Sequence, residues 1–272
     1  MDDATIRRYI QLSIIPGFGT VSQNRLLKIC GSVDACFELS PEALFHMCAT
    51  AEMHFKLPGK RVGTFVDYRN STSIMQKAEM ILSECYRQHI EIITKNNGRY
   101  PKRFDGLPDM PVVLYSIGSL NINQYVRTVG IIGARRCSVE GKRRAIALAE
   151  KASAEHAAVI SGMAKGIDSY AHTAAVKNDG YTIAVLGSGP DVCYPVEHKK
   201  LYDEIAVRGC VLSEYIPGTK PRSYMFPERN RLIAALSDKL MVIDAGSHSG
   251  TRTTIDAGRK YEREVTIVSL AL

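Results

Sequence analysis

Apolar residues in the first third of the chain recur at the spacing of amphipathic helices. Their positions predict one helix over 5–15 and a second over 20–30. Between them, Pro16-Gly17-Phe18-Gly19 predicts a tight turn. A helix, a glycine turn and a second helix are typical of a helix-hairpin-helix unit, in which backbone amides can approach a phosphate. This turn contains no Lys or Arg, so it either binds phosphate through its backbone or only reverses the chain.

From about residue 90 the pattern changes to short apolar runs separated by amphipathic stretches. Strands alternating with helices predict an α/β fold with a doubly wound, mostly parallel sheet. We expect a small all-α domain over 1–70, of the helix-hairpin-helix or SAM-like kind, followed by the sheet domain over 71–272. The predicted strands are 90–94, 112–116, 126–132, 157–160, 181–186, 210–213, 239–243 and 264–268, and the main helices are 74–89, 138–155, 168–179, 197–208 and 250–261.

Composition narrows the classes of protein. Hydrophobic residues are 45% and charged residues 23% of the 272 residues, which excludes a wholly disordered chain. No apolar run reaches the roughly 18 residues of a membrane span, and the N-terminus lacks the apolar stretch of a signal peptide, so we expect a soluble, cytoplasmic protein without membrane contact. The seven cysteines are scattered without a CxxC pair, which favours reduced thiols over a zinc site or disulfides. The net charge of +7 favours an anionic partner, with nucleic acid first.

Three glycine-containing loops follow predicted strands, where the ligand crevice of a doubly wound sheet lies. They are Gly133-Ala134-Arg135-Arg136, the stretch 161–168 (SGMAKGID) and the stretch 186–190 (LGSGP). Glycine permits close backbone approach, helix N-termini donate to anions, and cationic side chains add charged hydrogen bonds. We expect Asp168 to cap the helix that follows its loop. The candidate anion-binding residues here are Gly133, Arg135, Arg136, Ser161, Gly162, Lys165 and Gly166.

The stretch 217–231 (PGTKPRSYMFPERNR) combines cations and aromatic rings in what we interpret as a loop. Single-stranded nucleic acid binds such surfaces because cations hold its backbone while rings stack on its exposed bases. The alternative is that Tyr224 or Phe226 packs into the core while the arginines pair with Glu214 or Glu228. The candidates in this stretch are Lys220, Arg222, Phe226, Arg229, Asn230 and Arg231.

Hydrolase and metal-site motifs are absent from the sequence. There is no GxSxG, HExxH or DxDxDG element. A phosphoryl-transfer or hydrolase hypothesis would have to depend on Asp168, Asp244 and Glu228, which lack the spacing of a metal site. We therefore expect no metal and no cofactor.

Several segments together resemble the DNA-processing family called DprA or Smf. They are GAR (133–135), SGMAKGID (161–168), TIAVLGSGPDVCYPVEH (182–198), LSEYIPGTKP (212–221), FPERNRLIAALS (226–237) and SGT (249–251), preceded by NGRYPKRFDGLPDMPVVLYSIGSL (97–120). The resemblance implies an extended Rossmann-like domain that acts as a homodimer without catalysis. It also implies that the protein binds incoming single-stranded DNA during natural transformation, protects it and helps load the RecA recombinase.

Carried onto this sequence, the resemblance implies a role for each motif. Arg135 would contact the DNA backbone, and Ser161, Gly162, Lys165 and Gly166 would line the same pocket. The basic, stacking rim would be Lys220, Arg222, Phe226, Arg229 and Asn230.

The sequence departs from the family pattern at three places. The usual GSR or GTR is GAR here, Arg252 stands where an apolar residue generally follows SGT, and the winged-helix-like C-terminal domain of many members is absent from 1–272. RecA loading would then have to use the main domain. The competing hypothesis is a nucleotide-binding or nucleotide-processing enzyme using the same crevice, although 245–254 (AGSHSGTRTT) lacks the PGG usual in such enzymes. A third hypothesis is a purely structural adaptor.

Overall fold

The structure is a computed structural model that describes residues 2–244 and 250–268. His248 lies outside the described residues, as does Ser249, which is the first residue of the SGT motif. The chain forms two compact units. The N-terminal unit comprises Met1–Gly98 and Gly106–Leu114, and the C-terminal unit comprises Arg99–Asp105 and Tyr115–Leu272.

The N-terminal unit is mainly helical. Its elements are α1 (Asp3–Ile14), α2 (Thr20–Cys30), α3 (Val33–Glu38), α4 (Pro41–Thr50), α5 (Gly59–Arg69), α6 (Thr72–Arg87) and the short strand β1 (Glu91–Thr94). The helix, turn and helix predicted over 5–30 are confirmed by α1 and α2. Phe65 anchors the core, with its ring centroid 5.7 Å from that of Phe18 and 5.4 Å from that of Phe37.

The N-terminal unit extends past the predicted domain boundary at residue 70. Helix α6 packs against α1, where Arg7 pairs with Glu79 at 2.6 Å and the Tyr86 hydroxyl donates to Asp3 at 2.5 Å. These contacts place α6 with the helices that precede it, so the compact unit ends near residue 98.

The C-terminal unit alternates strands and helices. Strand β2 (Val113–Gly118) begins at the end of the N-terminal unit, and the following elements are β3 (Thr128–Gly133), α7 (Val139–Ala154), β4 (Ala158–Ser161), α8 (Ile167–Lys177), β5 (Thr182–Val185), α9 (Lys199–Arg208), β6 (Cys210–Ser213), α10 (Met225–Leu236), β7 (Lys239–Ile243), α11 (Thr251–Lys260) and β8 (Glu264–Val268). Within the described residues the strand order is β1-β2-β6-β5-β4-β3-β7-β8. The predicted α/β fold with an extended Rossmann-like, mostly parallel sheet is confirmed.

Strand order also locates the point where the chain changes direction across the sheet. From β3 the chain adds β4, β5 and β6 on one side, and then returns to place β7 on the other side of β3. All these neighbours pair in parallel, whereas β2 pairs antiparallel with β6. Ligands of doubly wound sheets bind beyond the strand carboxyl ends at such a reversal, here between β3 and β7.

Small residues bring α7 and α8 close to the sheet. Ala145, Ala149, Ala171 and Ala175 are fully buried in one core cluster with Ile131 of β3. The small alanine side chains let the helices pack close to the sheet. The starts of α7 and α8, and the loops before them, are thereby held at the carboxyl ends of the central strands.

The stretch 217–231 is not a single loop as predicted, because α10 begins at Met225. Pro227 is compatible with this helix because a first-turn residue needs no intrahelical N–H partner. None of the helices in the described part of the chain is long and apolar enough to cross a membrane.

Candidate functional site

A cavity of about 730 Å³ opens at the carboxyl ends of the central strands of the C-terminal unit. The loops after β3 and β4, the start of α10 and the start of α11 supply its walls. Of the candidate residues from the sequence, the structure places Gly133, Arg135, Arg222, Phe226, Arg229 and Asn230 in the lining.

Two buried charged side chains, Arg229 and Asp168, lie in the floor of this cavity. Arg229 is 4% exposed, and its Nη1 donates to the carbonyl of Gly162 at 2.8 Å and to the carbonyl of Val185. Asp168 is 6% exposed and accepts from the backbone N–H groups of Gly162 (3.1 Å) and Ala164 (3.3 Å). Arg229 thus fastens α10 to the ends of β4 and β5, and Asp168 fastens the start of α8 to the loop after β4.

The electrostatics of the pair follow from its burial. Burial raises the pKa of the Asp168 carboxyl, while Arg229 and the two amides oppose that rise. Burial lowers the pKa of the Arg229 guanidinium to about 10, so it stays protonated at neutral pH. The charge of the guanidinium is thereby held in the cavity floor, where the Asp168 carboxylate opposes it.

Both positions differ from the sequence-based expectation. Asp168 does not cap α8, because the N-cap is Gly166 and the carboxylate instead binds the loop before the helix. The sequence predicted Arg229 at an exposed rim, but its place on the inward face of α10 buries it. Its hydrogen bonds are directed to the backbone of the floor.

Aromatic rings form one wall. The Phe226 ring lies against Gly187, where an added Cβ would be 2.9 Å from Phe226 Cδ1, so only glycine leaves room for the ring in this position. The Tyr194 ring centroid lies 5.5 Å from that of Phe226 at 38°, and the Arg135 guanidinium carbon lies 5.9 Å from the Phe226 centroid. Tyr194 is 46% exposed and was missed by the sequence analysis; its signal was an aromatic residue in the loop after β5.

The cationic candidates divide into paired and unpaired groups. Arg231 pairs with Glu214 within the protein, as the alternative interpretation of this stretch expected, and Lys165 pairs with Glu197 at 2.8 Å. Among the described residues, no carboxylate pairs with the exposed cations Arg135, Arg136, Lys220 and Arg222.

Other candidates support the loops rather than face the cavity. The Ser161 hydroxyl is buried and donates to the Ile131 carbonyl at 2.6 Å. Gly166 has φ +80°, and an added Cβ would lie 2.3 Å from the Ala134 carbonyl oxygen. This close approach joins the loops after β3 and β4 into one ridge, which Ile167 reinforces by donating its N–H to the Ala134 carbonyl at 3.2 Å.

Asn230 links the two helices on the other side of the cavity. Its Nδ2 donates to the Gly250 carbonyl at 3.1 Å and to Thr253 Oγ1 at 2.8 Å. Because Asn230 is one turn from Phe226 on α10, it fixes the aromatic wall relative to the start of α11.

The carboxylates of the hydrolase hypothesis have structural partners. Asp244 accepts from the backbone N–H and the hydroxyl of Ser138, both at 2.8 Å, and Glu228 accepts from the Tyr215 hydroxyl at 3.1 Å. With Asp168 holding its own loop, each of the three carboxylates accepts a hydrogen bond from within the protein. Within residues 2–244 and 250–268, no group of three His, Cys, Asp or Glu side chains has the geometry of a metal site.

The doubly wound sheet defines a Rossmann-like protein, and its switch point carries unpaired arginines and open aromatic rings. The family model described as DNA recombination-mediator protein A matches residues 91–271, and the chain belongs to that family. The resemblance to the DprA or Smf family is thereby confirmed.

Known relatives agree with this assignment. The chain is 30% identical over 260 residues to protein Smf of Synechocystis, covering 94% of this chain and 63% of that protein. It is 39% identical over 166 residues to the DNA processing protein DprA of Streptococcus pneumoniae, covering 61% and 58%. The chain thus matches less than two thirds of the length of these relatives.

Solved structures show the same fold. DprA from Streptococcus pneumoniae superposes with a TM-score of 0.76 at 28% identity, covering 100% of this chain and 89% of that one. DNA processing protein A from Helicobacter pylori, whose structure concerns its single-stranded DNA binding mode, superposes with a TM-score of 0.62 at 32% identity, covering 67% and 82%.

Proposed function

We propose that this protein binds single-stranded DNA in the cavity at the β3–β7 switch point. One observation carries the proposal: the Phe226 ring borders an open cavity between the Arg135 guanidinium and the Tyr194 ring. An aromatic surface next to unpaired cations satisfies the two needs of an unpaired strand, which are base stacking and phosphate neutralisation.

The proposal gives each part of the site a task. Arg135 and Arg222 line the cavity and contact phosphates, while Arg136 and Lys220 extend the positive surface outward. The backbone at Gly133, Gly162 and Gly166 shapes the pocket, and Lys165 can exchange its exposed partner Glu197 for a phosphate. Arg229 acts from below as a fixed charge and as the clamp that positions Phe226.

Base stacking is the reason to expect a preference for single strands. A duplex hides the faces of its bases, so Phe226 and Tyr194 can stack only on bases that are unpaired. The binding mode reported for the Helicobacter pylori relative supports the same ligand class.

Family membership extends the proposal to a biological role. The protein acts in the cytoplasm as a homodimer that protects incoming single-stranded DNA during natural transformation and helps RecA load onto it. It works as a binding protein rather than an enzyme, which agrees with the packing roles of Asp168, Asp244 and Glu228.

Fluorescence anisotropy with labelled oligo-dT and a matching duplex, at two salt concentrations, tests the proposal. If four cations contact phosphates, the slope of log K against log salt is about −3 for the single strand. Arg135→Ala should weaken binding and reduce the slope by about 0.7. Arg127→Ala is the matched control, because Arg127 is an exposed arginine before β3, at the opposite end of the strand from Arg135.

Stacking is tested separately with Phe226→Ala, which should weaken oligo-dT binding by about tenfold. Normal binding by this variant, with a defect in Arg135→Ala, would leave only the charge contribution. No binding by the wild-type protein, or equal binding to duplex, would overturn the proposal and give nucleotide-hydrolysis assays priority.

A further inference from the structure

A second pairing of a cation with an aromatic ring lies outside the cavity, at the starts of α7 and α8. Lys142 Nζ lies 4.9 Å from the centroid of the Tyr170 ring. Lys142 is exposed and Tyr170 is half-buried, packed partly against the core shared by α7 and α8. Neither residue lines the cavity described above.

Backbone hydrogen bonds fix this pair close to the loops of the cavity. Lys142 N–H donates to the Ser138 carbonyl at 3.0 Å, so Lys142 lies one turn into α7. Tyr170 N–H donates to the Gly166 carbonyl at 3.0 Å, so Tyr170 lies one turn into α8. One helical turn is about 5.4 Å, so both residues lie one turn beyond the loops that follow β3 and β4.

The charges around the pair leave Lys142 uncompensated. On the same turns of α7, Arg143 and Arg144 both pair with Glu140 at 2.8 Å. Within the described part of the chain, no carboxylate pairs with Lys142 or with exposed Arg136, which lies between the cavity and α7. Asp244 already accepts from the backbone N–H of Ser138, so this amide is not available to a phosphate at the start of α7.

We propose that Tyr170 and Lys142 form a second subsite for single-stranded DNA, reached when the strand leaves the cavity over Arg135 and Arg136. In the free protein Lys142 covers the Tyr170 ring. When the strand arrives, the lysine moves to a phosphate and a base takes its place on the ring. The exchange is favourable because a base–aromatic stack is stronger than a cation–π contact at an exposed site. The inference rests on the proposed function, because it extends the same strand beyond the cavity.

Oligonucleotide length separates the two subsites. A short oligo-dT of about 4 nucleotides fills the cavity alone, whereas one of about 16 nucleotides can reach both sites. Tyr170→Ala should weaken binding of the long oligonucleotide by about fivefold or more and leave binding of the short one unchanged. Tyr170→Phe should bind both oligonucleotides normally. Lys142→Ala should reduce the salt slope for the long oligonucleotide by about 0.7. Lys151 is an exposed lysine of the same helix and pairs with Glu155. Lys151→Ala is therefore the control and should leave the salt slope unchanged.

A fluorescent variant provides a direct readout of stacking. The chain contains no tryptophan, so Tyr170→Trp introduces a single tryptophan at the proposed subsite, which can be excited selectively over the tyrosines. Its fluorescence should be quenched by the long oligonucleotide and not by the short one, whereas Tyr68→Trp, at an exposed tyrosine of α5, should respond to neither.

The outcomes distinguish this inference from the proposed function. Unchanged fluorescence of Tyr170→Trp while the long oligonucleotide binds with wild-type affinity would overturn the second subsite and leave the cavity site intact. Wild-type protein that binds neither oligonucleotide, or Arg135→Ala that binds both normally, would overturn the proposed function and the subsite with it.

Discussion

The two buried charges of the cavity floor, Asp168 and Arg229, interact electrostatically and offer the most stringent test of how the site is built. Asp168→Ala would leave the Arg229 guanidinium buried and without its counter-charge, which typically costs about 3–5 kcal/mol. It would also remove the acceptor for the N–H groups of Gly162 and Ala164. The loss of these two hydrogen bonds does not simply add to the first cost, because they and the interaction with Arg229 depend on the same carboxylate. We therefore expect the free energy of unfolding to fall by about 4 kcal/mol.

Urea unfolding measures the effect. With a slope of about 2 kcal/mol per molar, a loss of about 4 kcal/mol lowers the midpoint by roughly 2 M. Asp168→Asn keeps an oxygen for the two amides but removes the charge, so its midpoint should lie between those of the wild type and Asp168→Ala. Asp203→Ala, which removes an exposed carboxylate paired with Lys199, is the matched control and should cost less than about 1 kcal/mol.

Two results would refute this reasoning. If Asp168→Ala costs no more than Asp203→Ala, the pair does not hold the cavity floor. If Asp168→Asn is as stable as the wild type, the hydrogen bonds matter and the charge of Asp168 does not.

Three further predictions follow from the surroundings of the cavity. Gly187→Ala should displace the Phe226 ring and so weaken oligo-dT binding in anisotropy measurements, because the three atoms nearest to its new Cβ all belong to that ring. In a Phe226→Ala background the same substitution should cause no further loss of affinity, and additive losses would contradict this reasoning. Tyr194→Ala should weaken binding by about fivefold while Tyr194→Phe binds normally, and equal behaviour of the two variants would exclude stacking at this position. Burial lowers the pKa of His172 to about 3 from 6.5, so the folded state resists its protonation and stability should fall as the pH drops below 6.5. Between pH 7 and pH 5 this amounts to about 2 kcal/mol in urea unfolding, a decline that His172→Gln should lack.

The central strands were predictable because burial on both faces produces continuous apolar runs, as in β7, which coincides with the stretch 239–243. The partly exposed edge strand β8 coincides with the stretch 264–268, and the glycine loops were found at the strand ends where the cavity lies. Strand direction left no such trace. The antiparallel pairing of β2 with β6 depends on which edge of the sheet receives the strand, and the local pattern of apolar residues does not encode that choice.

Helix α10 escaped prediction because its composition conceals its periodicity. Met225, Leu232, Ile233 and Leu236 have helical spacing, but Pro227 and the cations among them favoured a loop. Had the helix been recognised, Arg229 would have fallen on the same face as these apolar residues. Its burial could then have been predicted, whereas its partner Asp168 is apparent only once the two loops are brought together in three dimensions.

The cations of the site divide into two groups that evolution can change independently. Arg229 is interlocked with the backbone of two strands, so its replacement changes folding and binding together. Arg135, Arg136, Lys220 and Arg222 are exposed at the rim, and changing them alters affinity at little expense in stability. Under the proposed function, each rim cation would change the salt dependence of DNA binding by a similar increment, so a lineage could adjust how firmly it holds a strand at a given ionic strength without redesigning the fold.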